Sequence, residues 1–204
     1  MTRVKICGIT SLEDALAAVD AGADALGFVF FKESPRHIFP EEAARIIAQL
    51  PPFIQTVGLF VNENIAAVKE TADLCRLDLL QLHGDETPEQ CHQLEHRVIK
   101  AFRIKDLNSL DPIVDYRVSG FLLDAYSPSA YGGTGMVFNW EIAAEAMKRH
   151  NRIILAGGLT PENVADAIRS VRPYAVDVSS GVETSPGKKD HQKVREFIRN
   201  AKEA

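Results

Sequence analysis

Four polar residues, Cys7, His83, Asp124 and Asp177, each fall at or near the end of a short, apolar, β-prone run. Thiol, imidazole and carboxylate groups are the ones with which enzymes give and take protons. Each residue also has a structural interpretation, because cysteine is often buried as a small side chain and a strand-end aspartate often caps a turn. Their shared position at strand ends is the observation that packing alone explains least well.

The elements that carry these residues repeat along the chain. Eight strand–helix pairs are predicted, at residues 3–7 and 12–21, 25–31 and 40–50, 56–61 and 64–75, 79–83 and 88–94, 97–102 and 107–116, 120–124 and 140–150, 152–156 and 161–170, and 174–178 and 190–201. Such alternation implies parallel strands joined by right-handed crossovers, and eight units can close on themselves. An open doubly wound sheet is the alternative, but no G-x-G-x-x-G turn follows the first strand. The sequence therefore predicts an α/β fold, a single (βα)8 TIM-barrel domain over residues 1–204.

Alternation within the strands predicts which side chains enter the barrel. In the first strand Val4 and Ile6 face the helices, so Arg3, Lys5 and Cys7 point inward. An unpaired ammonium there would be costly, and we expect Lys5 to pair with Asp177 on the neighbouring eighth strand. A charged Lys5 is expected to favour the thiolate of Cys7. The other residues that this alternation turns inward are Gln81, His83 and Asp124.

Two glycine-containing segments follow the last two predicted strands, AGGLT at residues 156–160 and SSGVE at residues 179–183. Glycine lets backbone N–H groups approach an anion, and a phosphate between the last two loops is a recurring feature of barrels. The alternative is that each glycine only permits a tight turn. The residues predicted to bind phosphate are Gly157, Gly158, Ser180 and Gly181.

Two other loops open on the same end of the predicted barrel. The stretch after Asp124 is the longest without periodicity, and we expect Gly132, Gly133 and Thr134 to form a lid over a ligand. Arg36, in the loop after the second strand, has two interpretations: a bidentate clamp on a carboxylate or a solvated surface charge.

Composition excludes several classes of function. The net charge of -5, with both signs interspersed, gives no surface for nucleic acid or anionic lipid. No signal-peptide pattern opens the chain and no apolar run approaches the roughly 18 residues of a membrane helix, so a soluble, cytoplasmic protein is expected. The three cysteines form no CxxC pair and the six histidines are scattered, which predicts reduced thiols, no metal and no cofactor. No obligate protein partner is evident, and the oligomeric state stays open.

Five motifs together resemble the phosphoribosylanthranilate isomerase family, in order and over the whole chain. They are KICGIT at residues 5–10, QLHG at 81–84, GGTG at 132–135, AGGL at 156–159 and DVSSGVE at 177–183. The resemblance implies a cofactor-independent Amadori rearrangement of a small phosphosugar, N-(5-phosphoribosyl)anthranilate, in tryptophan biosynthesis. It implies that Asp124 is the general acid, Cys7 the general base and Arg36 the partner of the anthranilate carboxylate.

Two rival functions are carried forward from the sequence. Another phosphosugar barrel, such as the histidine-pathway ribonucleotide isomerase, runs the same rearrangement, but its family has an aspartate where Cys7 stands. A phosphate-binding barrel without catalysis would not need both an acid and a base. His83 and Asp177 are expected to line the substrate site, with no part in the chemistry assigned to His83.

Overall fold

A computed structural model describes residues 1–125 and 140–204. Eight parallel strands pair in chain order and close as a barrel, since β1 pairs with both β2 and β8. The strands are β1 (Arg3–Cys7), β2 (Ala25–Val29), β3 (Gln55–Phe60), β4 (Leu79–Leu82), β5 (Arg97–Ile104), β6 (Gly120–Ala125), β7 (Ile153–Leu155) and β8 (Ala175–Val178). The predicted (βα)8 barrel is confirmed.

Helices cover the outside of the strands. They are α1 (Leu12–Asp20), α2 (Pro40–Ile47), α3 (Ile65–Cys75), α4 (Pro88–His92), α5 (Trp140–Arg149), α6 (Val164–Val171) and α7 (His191–Glu203). Ser11 caps α1, accepting a hydrogen bond from the backbone N–H of Asp14 at 3.2 Å. Among the helices of the described residues, none is both long enough and apolar enough to cross a membrane.

The fifth helical unit differs from its prediction. Leu107–Asp115 forms a 3₁₀ helix, with Pro112 inside it. Proline has no N–H and its ring crowds the preceding turn, so an α-helix over these residues would lose a hydrogen bond and gain a clash. The tighter 3₁₀ form tolerates short irregular runs of this kind.

A short hairpin after β8 was not predicted. A 3₁₀ turn at Ser180–Val182 leads into β9 (Glu183–Ser185), which pairs antiparallel with β10 (Lys188–Lys189) before α7 begins. Two- and three-residue strands leave no periodic pattern in a sequence. The hairpin folds back beside the end of β1, where the Nζ of Lys189 reaches the carbonyl oxygen of Cys7.

The predicted inward and outward faces of the strands are confirmed. The outward side chains Val4, Ile6, Leu80, Leu123 and Val176 pack with the helices in the main apolar cluster. A second cluster fills the barrel interior, formed by Val57, Ile99, Ala101, Leu122, Ile154, Ala156 and Ala175. The interior is therefore packed below the level at which the polar side chains begin.

A buried ion pair fixes the rim between β3 and β5. Lys100 donates to a carboxylate oxygen of Glu86 at 3.1 Å and to the carbonyl oxygen of Gly84 at 2.7 Å. Glu86 also accepts from the backbone N–H groups of Asn62 and Gly84. Both charged side chains are 3% exposed, so the pair joins two loops of the rim away from water.

Replacing Glu86 by alanine should destabilise the protein by about 3–5 kcal/mol, because it leaves the Lys100 ammonium buried without a counter-charge. Urea denaturation monitored by circular dichroism measures this free energy of unfolding. The matched control is Glu70→Ala on the exposed face of α3, which should change stability by less than about 0.5 kcal/mol. Equal effects of the two variants would show that the buried pair contributes nothing.

Candidate active site

One cavity opens at the C-terminal ends of the barrel strands. The predicted site residues that line it are Cys7, Arg36, His83, Asp124, Gly157, Gly158, Asp177, Ser180 and Gly181. They come from β1, β6 and β8 and from the loops after β2, β4, β7 and β8. The predicted lid residues Gly132, Gly133 and Thr134 lie outside the described residues.

At the end of β1, Cys7 shares the barrel interior with an ion pair. The Nζ of Lys5 lies 2.8 Å from a carboxylate oxygen of Asp177, and the two side chains are 5% and 9% exposed. This contact confirms the predicted pairing between neighbouring strands β1 and β8. Burial alone would lower the pKa of Lys5, but the charge of Asp177 and its hydrogen bond with Lys5, with a smaller contribution from Cys7, raise that pKa to about 12.

Lys5 favours the thiolate of Cys7 as expected, but the other surroundings oppose it more strongly. Burial raises the pKa of the Cys7 thiol above its ordinary value, the Lys5 ammonium lowers it only in part, and the Asp177 carboxylate raises it again. Because Lys5 is already neutralised by Asp177, its charge cannot offset the loss of solvent. The resting state of this residue is the neutral thiol.

Space for the thiol is provided by Gly27, which lies opposite Cys7 on β2. A Cβ atom on Gly27 would stand 2.7 Å from the sulfur of Cys7 and 3.1 Å from the side chain of Lys5. Nonbonded carbon and sulfur atoms do not approach so closely without displacement. Gly27 is thus part of the site, although the sequence analysis did not single it out.

Asp124 precedes Ala125, the last residue of β6, and one of its carboxylate oxygens is hydrogen-bonded. Oδ1 accepts from the backbone N–H of Ala125 at 2.8 Å, and Oδ2 lies 3.4 Å from the Nε2 of His83. The other ring nitrogen of His83 lies 3.0 Å from the side-chain amide of Gln81, whose exposed fraction is zero. The Nε2 of His83 makes no hydrogen bond among the described residues, so His83 and Asp124 lie side by side at the cavity, with the imidazole fixed from its other side by Gln81.

Arg36 is neither free nor solvated. Only 9% of the residue is exposed, and its guanidinium makes a bidentate ion pair with Glu183 through Nε at 2.9 Å and Nη2 at 2.8 Å. The Nζ of Lys189 lies 2.7 Å from the same carboxylate. Glu183 belongs to the DVSSGVE motif, but the sequence analysis gave it no role. No sequence pattern pointed to Lys189. Arg36 still lines the cavity, as the clamp interpretation requires.

The loops after β7 and β8 present backbone donors to the cavity. Within the described part of the chain, the N–H groups of Gly157, Gly158, Ser180 and Gly181 donate to no acceptor. Gly157 has φ +79°, a conformation that favours glycine, and a Cβ there would collide with the backbone N of Ala125. Convergent, unused N–H groups are a general means of binding an anion.

One further group at this cradle was missed by the sequence analysis. The hydroxyl oxygen of Ser179 is buried and has no hydrogen-bond partner among the described residues. Ser179 lines the same cavity as Ser180 and Gly181. Its position next to Ser180 and Gly181 in the sequence could have pointed to it. The alternation of side chains in β8 does not predict their directions in the following loop.

The remaining titratable clusters do not suggest a metal. Within residues 1–125 and 140–204, no group of three or more histidine, cysteine or acidic side chains has the geometry to hold an ion. Cys75 and Cys91 lie on α3 and α4, apart from Cys7 and from each other. Burial raises the pKa of each to about 11.

Fold and cavity define a class, the (βα)8 barrels whose strand ends combine an anion cradle with proton-transferring side chains. Comparison with known proteins narrows this class. The family model of N-(5'phosphoribosyl)anthranilate (PRA) isomerase matches residues 4–200, and the chain belongs to this family. The family predicted by resemblance is confirmed.

Full-length relatives and solved structures agree with this assignment. N-(5'-phosphoribosyl)anthranilate isomerase of Trichlorobacter lovleyi is 74% identical over 204 residues, covering 100% of both chains. That of Geobacter sulfurreducens is 71% identical over 202 residues, covering 99% of each. The crystal structure of phosphoribosyl anthranilate isomerase from Thermotoga maritima superposes with a TM-score of 0.94 at 47% identity, covering 100% of both chains. A structure of such an enzyme with reduced 1-(o-carboxyphenylamino)-1-deoxyribulose 5-phosphate has a TM-score of 0.91 at 46% identity, again with 100% coverage.

The ionisation state of Cys7 can be measured directly. The rate of its alkylation by iodoacetamide, followed by peptide mass mapping, should rise with pH with a midpoint above the ordinary cysteine value, because burial opposes the thiolate. Lys5→Met should move the midpoint further up by removing the nearby cation. Lys148→Met, on the exposed surface of α5, is the control and should leave it unchanged. A midpoint below the ordinary cysteine value would contradict this assignment.

Proposed function

We propose that this chain isomerises N-(5'-phosphoribosyl)anthranilate to 1-(2-carboxyphenylamino)-1-deoxyribulose 5-phosphate, with Asp124 as general acid and Cys7 as general base. The family makes the protein an aldose–ketose isomerase of tryptophan biosynthesis. The observation that carries the residue roles is that a carboxyl group and a thiol line one cavity that also contains Arg36 and an anion cradle. That arrangement matches a substrate with a carboxylate at one end and a phosphate at the other.

The first step opens the ribose ring. The carboxyl proton of Asp124 passes to the ring oxygen while the bond from that oxygen to C1 breaks, and the lone pair of the anilino nitrogen forms the C1=N bond of an iminium ion. Asp124 is 6% exposed, which keeps water from competing for the proton. His83, 3.4 Å from Oδ2, orients the carboxyl group during this transfer.

The second step moves the C2 proton. The iminium acidifies this C–H bond, and the thiolate of Cys7 takes the proton while the electron pair forms the C1=C2 bond and neutralises the nitrogen. The resulting enolamine becomes the ketone when its C2 hydroxyl proton is lost and C1 gains a proton. One carbon is oxidised and its neighbour reduced within the same molecule, so the reaction balances without an external oxidant or reductant.

Lys5 supports this second step despite the neutral resting state of the thiol. As Cys7 ionises, the ammonium of Lys5 on the same face of β1 stabilises the negative charge, while Asp177 keeps that ammonium charged. Only a fraction of thiolate is needed, because the iminium is a strong carbon acid. Asp177 therefore acts through Lys5 rather than on the substrate.

The two ends of the substrate are proposed to bind at opposite sides of the cavity. Arg36 receives the anthranilate carboxylate, and the N–H groups of Gly157, Gly158, Ser180 and Gly181 receive the phosphate. The segment with Gly132, Gly133 and Thr134 stays a predicted lid. We further propose a cytoplasmic location, where three separate, buried thiols stay reduced.

Turnover by the purified protein tests the function. Incubated with phosphoribosylanthranilate, the protein should consume the substrate, which is measured as loss of the anthranilate fluorescence. A folded protein that shows no turnover would contradict the proposal.

Two single variants test the residue roles. Cys7→Ala and Asp124→Asn should each lower kcat by about 100-fold or more, as loss of a positioned acid or base does, with the fold unchanged by circular dichroism. Matched controls are Cys75→Ala on α3 and the exposed Asp73→Asn, which should keep normal kcat. An active Cys7→Ala protein would assign the base to another group.

A further inference from the structure

A buried charge cluster lies behind Arg36, built mostly from the hairpin between β8 and α7. Glu183 begins β9 and Lys189 ends β10, and their side chains are 4% and 0% exposed. Lys189 donates to Glu183 at 2.7 Å and to the carbonyl oxygen of Cys7 at 2.5 Å. The cluster thus contacts both Arg36 and the strand that carries Cys7.

The cluster has more positive than negative charge. Glu183 is the single carboxylate in contact with the two cations Arg36 and Lys189 within the described residues. Burial alone would raise the pKa of Glu183, but hydrogen bonds from Arg36 and the charge of Lys189 hold it below its usual range. Asp14 faces the backbone N–H of Lys189 rather than its ammonium, and its other oxygen pairs with His191. Burial lowers the pKa of Lys189, which the Glu183 carboxylate only partly offsets, and Arg36 is the cation of the cluster that lines the cavity.

The geometry of the ion pair decides which edge of Arg36 is available. Glu183 takes the Nε hydrogen and one Nη2 hydrogen. A guanidinium has five donors in a rigid plane, so the edge formed by Nη1 and the second Nη2 hydrogen remains. Within the described residues, Nη1 has no hydrogen-bond acceptor. This free edge can receive a second carboxylate bidentately.

We propose that Glu183 and Lys189 are positioning residues that fix the carboxylate-binding edge of Arg36, and thereby set selectivity for an N-aryl ribose phosphate that carries a carboxylate. This inference rests on the proposed function. Glu183 holds the plane of the guanidinium, and Lys189 holds Glu183 in place. Through the carbonyl of Cys7, Lys189 also fixes the distance between the clamp and the base.

The experiment compares two substrates, N-(5-phosphoribosyl)anthranilate and N-(5-phosphoribosyl)aniline, which lacks the carboxylate. Selectivity is the ratio of their kcat/KM values. Glu183→Gln should lower this ratio about 10-fold or more, because a charged hydrogen-bonded pair that orients Arg36 is lost. The fall should come from a higher KM for the anthranilate substrate, with kcat/KM for the aniline substrate nearly unchanged. Wild-type turnover is measured separately, so failure of the proposed function is distinguishable from failure of this inference.

A double-mutant cycle shows whether Glu183 acts through Arg36. In an Arg36→Met background, Glu183→Gln should lower the ratio no further. A merely structural role would lower kcat/KM for both substrates equally and leave the ratio unchanged, which would overturn the proposal. If Glu183→Gln does not fold, Glu183→Asp is the variant to measure. It keeps the negative charge on a side chain too short to hold Arg36 in the same way, so the selectivity ratio should fall as well.

The contribution of Lys189 has its own matched pair of variants. Lys189→Met should lower the selectivity ratio and also lower kcat for both substrates, because the carbonyl of Cys7 loses its donor. Lys188→Met, the neighbouring exposed residue of β10, should change neither. A folded Lys189→Met protein with unchanged ratio and kcat would remove Lys189 from the proposal.

Discussion

The pairing of β1 with β8 is the interaction on which the rest of the molecule depends. It joins Arg3 to Ala175 and Lys5 to Asp177 in register and converts an open sheet into a closed one. Closure removes both sheet edges and brings the last strand beside the first, so that residues far apart in sequence share one rim. Cys7, Asp124 and Asp177 meet only because this ladder forms.

Buried ion pairs, rather than apolar contacts, connect the side chains beyond the apolar interior of the barrel. Three lysines enter the protein interior, and each meets one carboxylate: Lys5 with Asp177, Lys100 with Glu86 and Lys189 with Glu183. The first two pairs link different strand–helix units, and the third joins the two strands of the hairpin after β8. An apolar substitute for such a pair would pack as well but would not set direction, whereas a hydrogen-bonded pair fixes the orientation of the side chains around it. The rim is thus rigid at the places where substrate groups must be aligned.

The sequence was sufficient for those features that follow from local periodicity. Alternation in β1 and β8 placed Lys5, Cys7 and Asp177 inside the barrel. The cost of a lone buried ammonium predicted the ion pair between Lys5 and Asp177. It did not predict the Glu183–Lys189 cluster, because the contact between that hairpin and Arg36 depends on how two aperiodic loops fold in space. Nor did it predict the direction in which the pKa of Cys7 is shifted, since the balance between burial and the Lys5 charge depends on distances that no pattern contains.

The hairpin of β9 and β10 also determines at which stage of protein synthesis the site is complete. Lys189 contacts Cys7 across a sequence separation of 182 residues, and Lys5 contacts Asp177 across 172. Chains emerge from the ribosome N-terminus first, and contacts of such long range form slowly and late. A nascent chain that ends before β8 has neither a closed sheet nor an oriented arginine. The substrate site is therefore complete only in a chain that includes β8 and the hairpin after it.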